Sequence, residues 1–157
     1  MRTIEFEVER AVRAPIDQVF ARLAVIEGHN DWMPKNGTMF KRVRQTSPGE
    51  PRVGTTYLEE TTQGPQPGEI VELEGPHKVT YHWWDTSKAG KLTFEGWPSY
   101  SLEPSGENST LVRHHAKLAM YGIYSLGAPI FRRLAVRERT TTIDALKASF
   151  ESSARRS

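Results

Sequence analysis

Alternation dominates the opening residues. Ile4, Phe6, Val8, Arg10 and Val12 fall on one face of an extended chain, with Glu5, Glu7 and Glu9 on the other, the period-two pattern of a half-buried strand. Six further stretches read as strands: 39–46, 55–62, 69–74, 78–85, 91–103 and 110–120. Turn-rich segments separate them, among them Ser47–Pro51, Gln63–Gly68, Thr86–Gly90 and Pro104–Asn108, each short enough for a hairpin connection. Seven strands joined mostly by tight turns imply an antiparallel meander.

Helical spacing appears in two places. Pro15 stands at a helix start, followed by Val19, Phe20 and Leu23, and a second short helical turn is expected from Val25 to Trp32, closed by Pro34. From Pro129 to Ser153 there is no further Pro or Gly, and Phe131, Leu134, Ala135, Ile143, Leu146 and Phe150 form an apolar stripe at helical spacing. The order is one strand, two short helices, six strands and one long helix. This predicts an α+β fold in which a curved sheet buries one face under the C-terminal helix.

Composition narrows the picture. A chain of 157 residues reads as a single domain, 1–157. Its 21 basic and 19 acidic side chains leave a formal charge of +2, which supplies no electrostatic ground for nucleic-acid binding. Cysteine is absent, which removes disulfides, thiolate metal sites and a cysteine nucleophile. The charged alternation of the first residues is unlike a secretory leader. No apolar run approaches the ~20 residues of a membrane span, so a cytoplasmic location is expected.

Five features resemble the START-related helix-grip superfamily, SRPBCC, and within it the polyketide cyclase/dehydrase-like group. The first strand ends in Val12-Arg13-Ala14-Pro15, with Val19, Phe20 and Leu23 behind it. Trp32 and Pro34 close the second short helix, and Gly54 precedes Tyr57 by three residues. Pro76 stands before Val79 and Tyr81, while Leu102, Glu103, Pro104 and Thr110 bracket the last hairpin. Ile143, Leu146, Lys147 and Glu151 end the long helix, apolar inside and charged outside. The resemblance implies a helix-grip fold, with a seven-stranded sheet wrapped around the C-terminal helix. It also implies an apolar or amphipathic ligand held between the two. The superfamily spans aromatase/cyclases, lipid and hormone carriers, and co-chaperones, so the site must decide the function.

Strand alternation nominates the side chains that face such a space. These are Arg10; Thr55, Tyr57, Glu59 and Thr61; Val79, Tyr81 and Trp83; Phe94, Tyr100 and Leu102; and Val112, His114, Ala116 and Leu118. From these and Trp32, the expected ligand-binding set is Trp32, Tyr57, Glu59, Tyr81, Trp83, Phe94, Tyr100 and His114. A charge at an apolar position needs a partner, so Arg10 is expected to pair with Glu59, or with Glu138 of the long helix. If the chain is catalytic, Arg10, Tyr57, Glu59 and His114 are the candidates, with His114 the natural acid–base group. Trp84 and Trp97 add further rings on which a planar ligand could stack. The arginines of the last helix, Arg139 among them, read as a solvated basic face. His114 and His115 are strand neighbours pointing to opposite faces, so no metal site is expected, and no phosphate-binding loop or other cofactor motif is present.

The sequence therefore predicts a domain that binds a small hydrophobic or aromatic molecule, with no cofactor, nucleic-acid partner or membrane span. A homodimer through exposed strand edges is left open. The alternatives are a polyketide aromatase/cyclase, carrying out aldol cyclisation and dehydration, and a co-chaperone-like interaction module.

Overall fold

The computed structural model describes residues 1–156, with side chains as far as Glu151. Seven antiparallel strands form one sheet in the order β1-β7-β6-β5-β4-β3-β2. They are β1 (Arg2–Val12), β2 (Phe40–Gln45), β3 (Thr56–Thr61), β4 (Gly64–Glu74), β5 (Lys78–Thr86), β6 (Leu92–Pro104) and β7 (Thr110–Met120). Two short helices, α1 (Ile16–Ala24) and α2 (His29–Trp32), follow β1, and α3 (Ala128–Arg156) closes the fold. This is the predicted α+β helix grip. A 3-10 segment, Gly122–Gly127, leads into α3 and was not expected from the sequence.

The register fixes which side chains face α3. Directly paired residues of an antiparallel sheet share a face, so one line can be followed across the strands. Val8 pairs with His114, His114 with Tyr100 and Tyr100 with Val79. Trp83 pairs with Gly96 and Gly68, Gly68 with Tyr57, and Gln66 with Glu59. The inward set expected from alternation is placed inward throughout. Trp84 and Trp97 lie on the opposite, outer face, where the His82 ring stacks on Trp97 with centroids 4.9 Å apart. They cannot touch a ligand beneath α3.

One loop expectation is corrected. The stretch Gln63–Gly68 is not all turn: β4 already begins at Gly64, with Pro65 paired to Glu60 and Pro67 to Leu58. Both prolines sit where β4 has run past its pairing with β5, which starts at Gly68 opposite Trp83. The missing N–H groups therefore cost no ladder bond on that side.

At one end of the inner face, Val12, Val19, Leu23, Val79, Val112, Ile143 and Leu146 are sealed from water. Leu102 and Phe150 join the same core. Asn30 ties α2 to β2 by accepting from the Val43 N–H and donating to the Val43 carbonyl, each at 2.8 Å. Glu138 of α3 accepts from the Thr38 hydroxyl and, at 2.9 Å, from the Met39 N–H. Helix and sheet are thereby joined near the start of β2.

Candidate functional site

His114 is fully buried in the middle of the inner face. Its ring lies flat on Tyr100, with centroids 4.0 Å apart and planes 3° from parallel. Nδ1 lies 3.0 Å from the Ser99 carbonyl; a carbonyl only accepts, so Nδ1 carries the proton and Nε2 is left with a lone pair. Nε2 is buried and has no hydrogen-bond partner. Burial, reinforced by the positive charge of Arg139, brings the His114 pKa down to about 3. The imidazole is therefore neutral at physiological pH, an acceptor without a donor.

Around it the aromatic side chains interlock. Tyr57 meets Tyr81 edge to face at 5.7 Å, and Tyr81 meets His29 at 5.9 Å. Two glycines create the room. A Cβ on Gly68 would stand 2.3 Å from the Tyr57 ring, and one on Gly96 would stand 2.5 Å from the Trp83 indole. Each ring lies across the bare backbone of its own register partner, a recurring use of strand glycine. Burial raises the pKa of the Tyr57, Tyr81 and Tyr100 phenols, so all three stay protonated. The Tyr81 hydroxyl donates to the Leu23 carbonyl, which His29 Nε2 also approaches at 2.8 Å.

Charge enters from α3 and β3. The Arg139 guanidinium acts electrostatically on His29, Tyr57, Glu59, Tyr100 and His114, and its Nη2 donates to the Thr142 hydroxyl at 3.2 Å. Glu59 faces the same space. Enclosure of its carboxyl raises the pKa to about 7, against the opposing pull of Arg139 and with help from Glu138 and Asp85. Asp85 in turn accepts from Gln66 Nε2 at 3.2 Å. Glu59, Gln66, Trp83, Asp85 and Phe94 face inward yet are only half-buried, so solvent reaches the inner face at this end.

Of the expected residues, Tyr57, Glu59, Tyr81, Trp83, Phe94, Tyr100 and His114 share this inner face. Trp32 and Arg10 lie at its margins, Trp32 meeting the His29 ring edge to face at 5.3 Å. The Trp32 indole donates to the Arg22 carbonyl at 3.1 Å and borders a separate surface cleft of about 310 Å³ with Arg22, Val25, Gly28, Asp31 and Ser149. Arg10 faces inward as its strand pattern requires, but its Nε lies 2.7 Å from Asp144 of α3, not near Glu59. Four strands separate β1 from β3 in the sheet order, about 24 Å along the sheet at the usual strand spacing. Its other expected partner, Glu138, is engaged by Thr38 and Met39. The arginine of the site is Arg139, read above as part of a solvated face. The signal was available: position 139 is four residues after Ala135 and four before Ile143, on the inward stripe of α3. Among the described residues no three or more acidic or histidine side chains are arranged to hold a metal ion, and no described helix is long and apolar enough to cross a membrane.

A curved sheet closed on a long helix, with polar and aromatic side chains on its half-open inner face, defines a helix-grip protein of the START-like class. Residues 3–151 match the family model described as polyketide cyclase/dehydrase and lipid transport, and the chain belongs to that family. Among solved structures, it is similar to the Zhui aromatase/cyclase from Streptomyces sp. R1128, at 12% identity and a TM-score of 0.76 over 96% of this chain and 94% of that one. It is also similar to the di-domain aromatase/cyclase StfQ of the steffimycin biosynthetic pathway, at 16% identity and a TM-score of 0.72, covering 97% of this chain and 52% of that one. A START superfamily protein from Mycobacterium smegmatis matches at 16% identity and a TM-score of 0.68 over 96% and 97% of the two chains. At these identities the likeness is one of fold. No curated protein matches the chain by sequence.

Proposed function

We propose that this protein binds a small planar molecule bearing hydroxyl or carbonyl groups, aromatic or polyketide-like, against the inner face of the sheet beneath α3. The observation that carries this reading is the unpartnered Nε2 of His114. A buried acceptor without a donor costs about 1–3 kcal/mol, and a ligand O–H placed there removes that cost. Tyr57, Tyr81 and Trp83 supply flat apolar surface, while Arg139 favours an oxygen with negative charge. The Phe94 ring stands at the half-exposed end, where a ligand would enter.

Native mass spectrometry with small-molecule extraction identifies what co-purifies, and titration with 1-naphthol and a dihydroxyanthraquinone tests the class. His114→Phe is expected to weaken binding of the hydroxylated probes about tenfold or more, the equivalent of losing one buried hydrogen bond. Affinity unchanged by that substitution sinks the proposal.

A second reading, aromatase/cyclase activity, is favoured by Glu59. Proton transfer is most effective when the group titrates near the working pH, and Glu59 does so at about 7. His114, at about 3, is the weaker base and suits orientation of the substrate instead. In this reading Glu59 takes the α-proton of a poly-β-ketone and Arg139 stabilises the enolate oxygen. The enolate carbon then attacks a second carbonyl to form the ring bond, and loss of water follows. Turnover of a poly-β-ketone mimic that survives Glu59→Gln and Arg139→Met removes this reading while leaving the binding proposal standing.

A further inference from the structure

The inward stripe of α3 leaves a second set of apolar side chains on its other side. Ile123, Leu126, Ile130 and Leu134 are between 55% and 83% exposed. Their spacing of three, four and four residues places them in one row along the 3-10 segment and the first turns of α3. Leu134 was expected to help close the sheet; it points away from it. Half-exposed Tyr124 stands beside the row, its ring 4.8 Å from Phe94, so the row adjoins the half-open end of the inner face. A contiguous apolar row of this size in water calls for something that covers it.

The charge around the row identifies the cover. From Tyr121 to Arg137 the chain contains no Asp or Glu but has three arginines, Arg132, Arg133 and Arg137, all exposed. Arg132 is held against β1, its Nη1 donating to the Glu5 carbonyl at 3.1 Å, while Arg133 and Arg137 lie one helical turn apart. Protruding aliphatic side chains, a tyrosine and flanking arginines on one helical surface form the pattern of an element that lies in the plane of an anionic bilayer. A partner protein would have to offer a matching groove to four side chains that stand clear of their neighbours; lipid deforms around them. We propose that residues 122–137 form a docking surface for anionic lipid bilayers. Leu126, Ile130 and Leu134 enter the acyl boundary, and Arg133 and Arg137 contact headgroup phosphates. This inference concerns the outer side of α3 and holds or fails independently of what the inner face binds.

The test is co-sedimentation of the full chain with vesicles of phosphatidylcholine alone and of phosphatidylcholine with phosphatidylglycerol. The protein is expected to pellet with the anionic vesicles and to be released by high salt. Arg133→Gln with Arg137→Gln should weaken that binding about twentyfold or more, since each basic residue near an anionic surface contributes about fivefold. Leu126→Ser with Ile130→Ser should weaken it comparably. All four side chains are exposed, so circular dichroism and melting temperature should match the parent and keep each variant interpretable. Failure to pellet with either vesicle overturns the proposal, as does pelleting unaffected by both double substitutions. Self-association abolished by Leu126→Ser with Ile130→Ser, in a protein that ignores vesicles, also overturns it and assigns the row to a second copy of the chain. Binding of an acidic protein in place of vesicles overturns it likewise.

Discussion

At one end of the inner face, Val12, Val79, Leu102 and Val112 meet Ile143, Leu146 and Phe150 of α3, and all are buried. At the other end, Glu59, Gln66, Trp83, Asp85 and Phe94 share the same face, yet water reaches them. The first end is closed by apolar contact, with its charges at the rim, where Arg10 meets Asp144 and the Arg22 guanidinium lies over the Phe150 ring. The second holds Glu59 and Asp85 with Arg139 among them, and Tyr100 and His114 mark the boundary between the two. Packing density confers stability, whereas a site needs room, polar groups and a rigid support. Dividing one sheet and one helix between these demands lets the sealed end hold the open end in place.

The sharpest way to break that division is in α3. Leu146→Ala removes a fully buried side chain and should cost about 2–5 kcal/mol in urea unfolding at neutral pH. Leu134→Ala, on the exposed row of the same helix, should stay within about 0.5 kcal/mol. The Leu146→Ala protein that remains folded should still bind the hydroxylated probes. Equal costs at the two positions would mean that α3 is held along its whole length, and the division would be lost.

The titratable groups around the inner face also carry an acid–base signature. His114 and His29 are neutral in the folded protein, with pKa values near 3 and 4 against an ordinary value of 6.5. Their contributions are present above pH 6.5 and are lost as pH falls. Glu59 acts in the opposite sense: raised from 4.5 to about 7, it destabilises the fold as pH rises through that range. Between about pH 4.5 and 6.5 unfolding takes up two protons at the histidines and releases one at Glu59. These three groups together should make stability fall on acidification by about 1.4 kcal/mol per pH unit. The Asp85 carboxyl, its pKa raised by burial, opposes that fall at the acid end of the window. Glu59→Gln should double that slope and stabilise the protein at pH 8 by about 1–3 kcal/mol, while His114→Gln should flatten it. Urea midpoints across the pH range measure all three. A parent protein with no slope in this window would mean that these groups bind as many protons folded as unfolded, and the enclosure inferred for His29, His114 and Glu59 would be lost.

Strand alternation made most of this legible because a one-residue error moves every side chain to the wrong face, and the inward set from Thr55 to Leu118 carries no such error. The bulges at Phe40/Arg42 and Ile70/Glu72 lie outside the stretches that supply the expected site residues, and the third, at Asp85/Thr86, comes after Trp83 on β5 and leaves their faces unchanged. Pairing partners were not legible: Glu59 looked like the natural mate of Arg10 because nothing local reports that β1 and β3 lie far apart in the sheet. Arg139 was missed because an arginine on a helix rich in arginines looks solvated until each position is assigned to a face. The 3-10 segment and the exposed row that follows it were hidden by the same habit, since Leu134 and Phe131 are both apolar but point in different directions.

Arg10 offers the finest test of where the site ends. Its pair with Asp144 has side chains 32% and 53% exposed, and a pair so open to water contributes only about 0.2–1 kcal/mol. Arg10→Met keeps an aliphatic stem of similar length beside Val8 and Val12, so unfolding should shift by less than about 1 kcal/mol. Asp144 is exposed enough to be solvated when its partner is removed. Binding of the hydroxylated probes should be unchanged, whereas Arg139→Met should weaken it, because only Arg139 acts on Glu59 and His114 together. Isothermal titration of the two variants side by side separates the edge of the grip from its interior. The opposite result, with binding lost in Arg10→Met and kept in Arg139→Met, would move the site to the β1 edge. His114, whose register partner is Val8 of that strand, would then be its only remaining member.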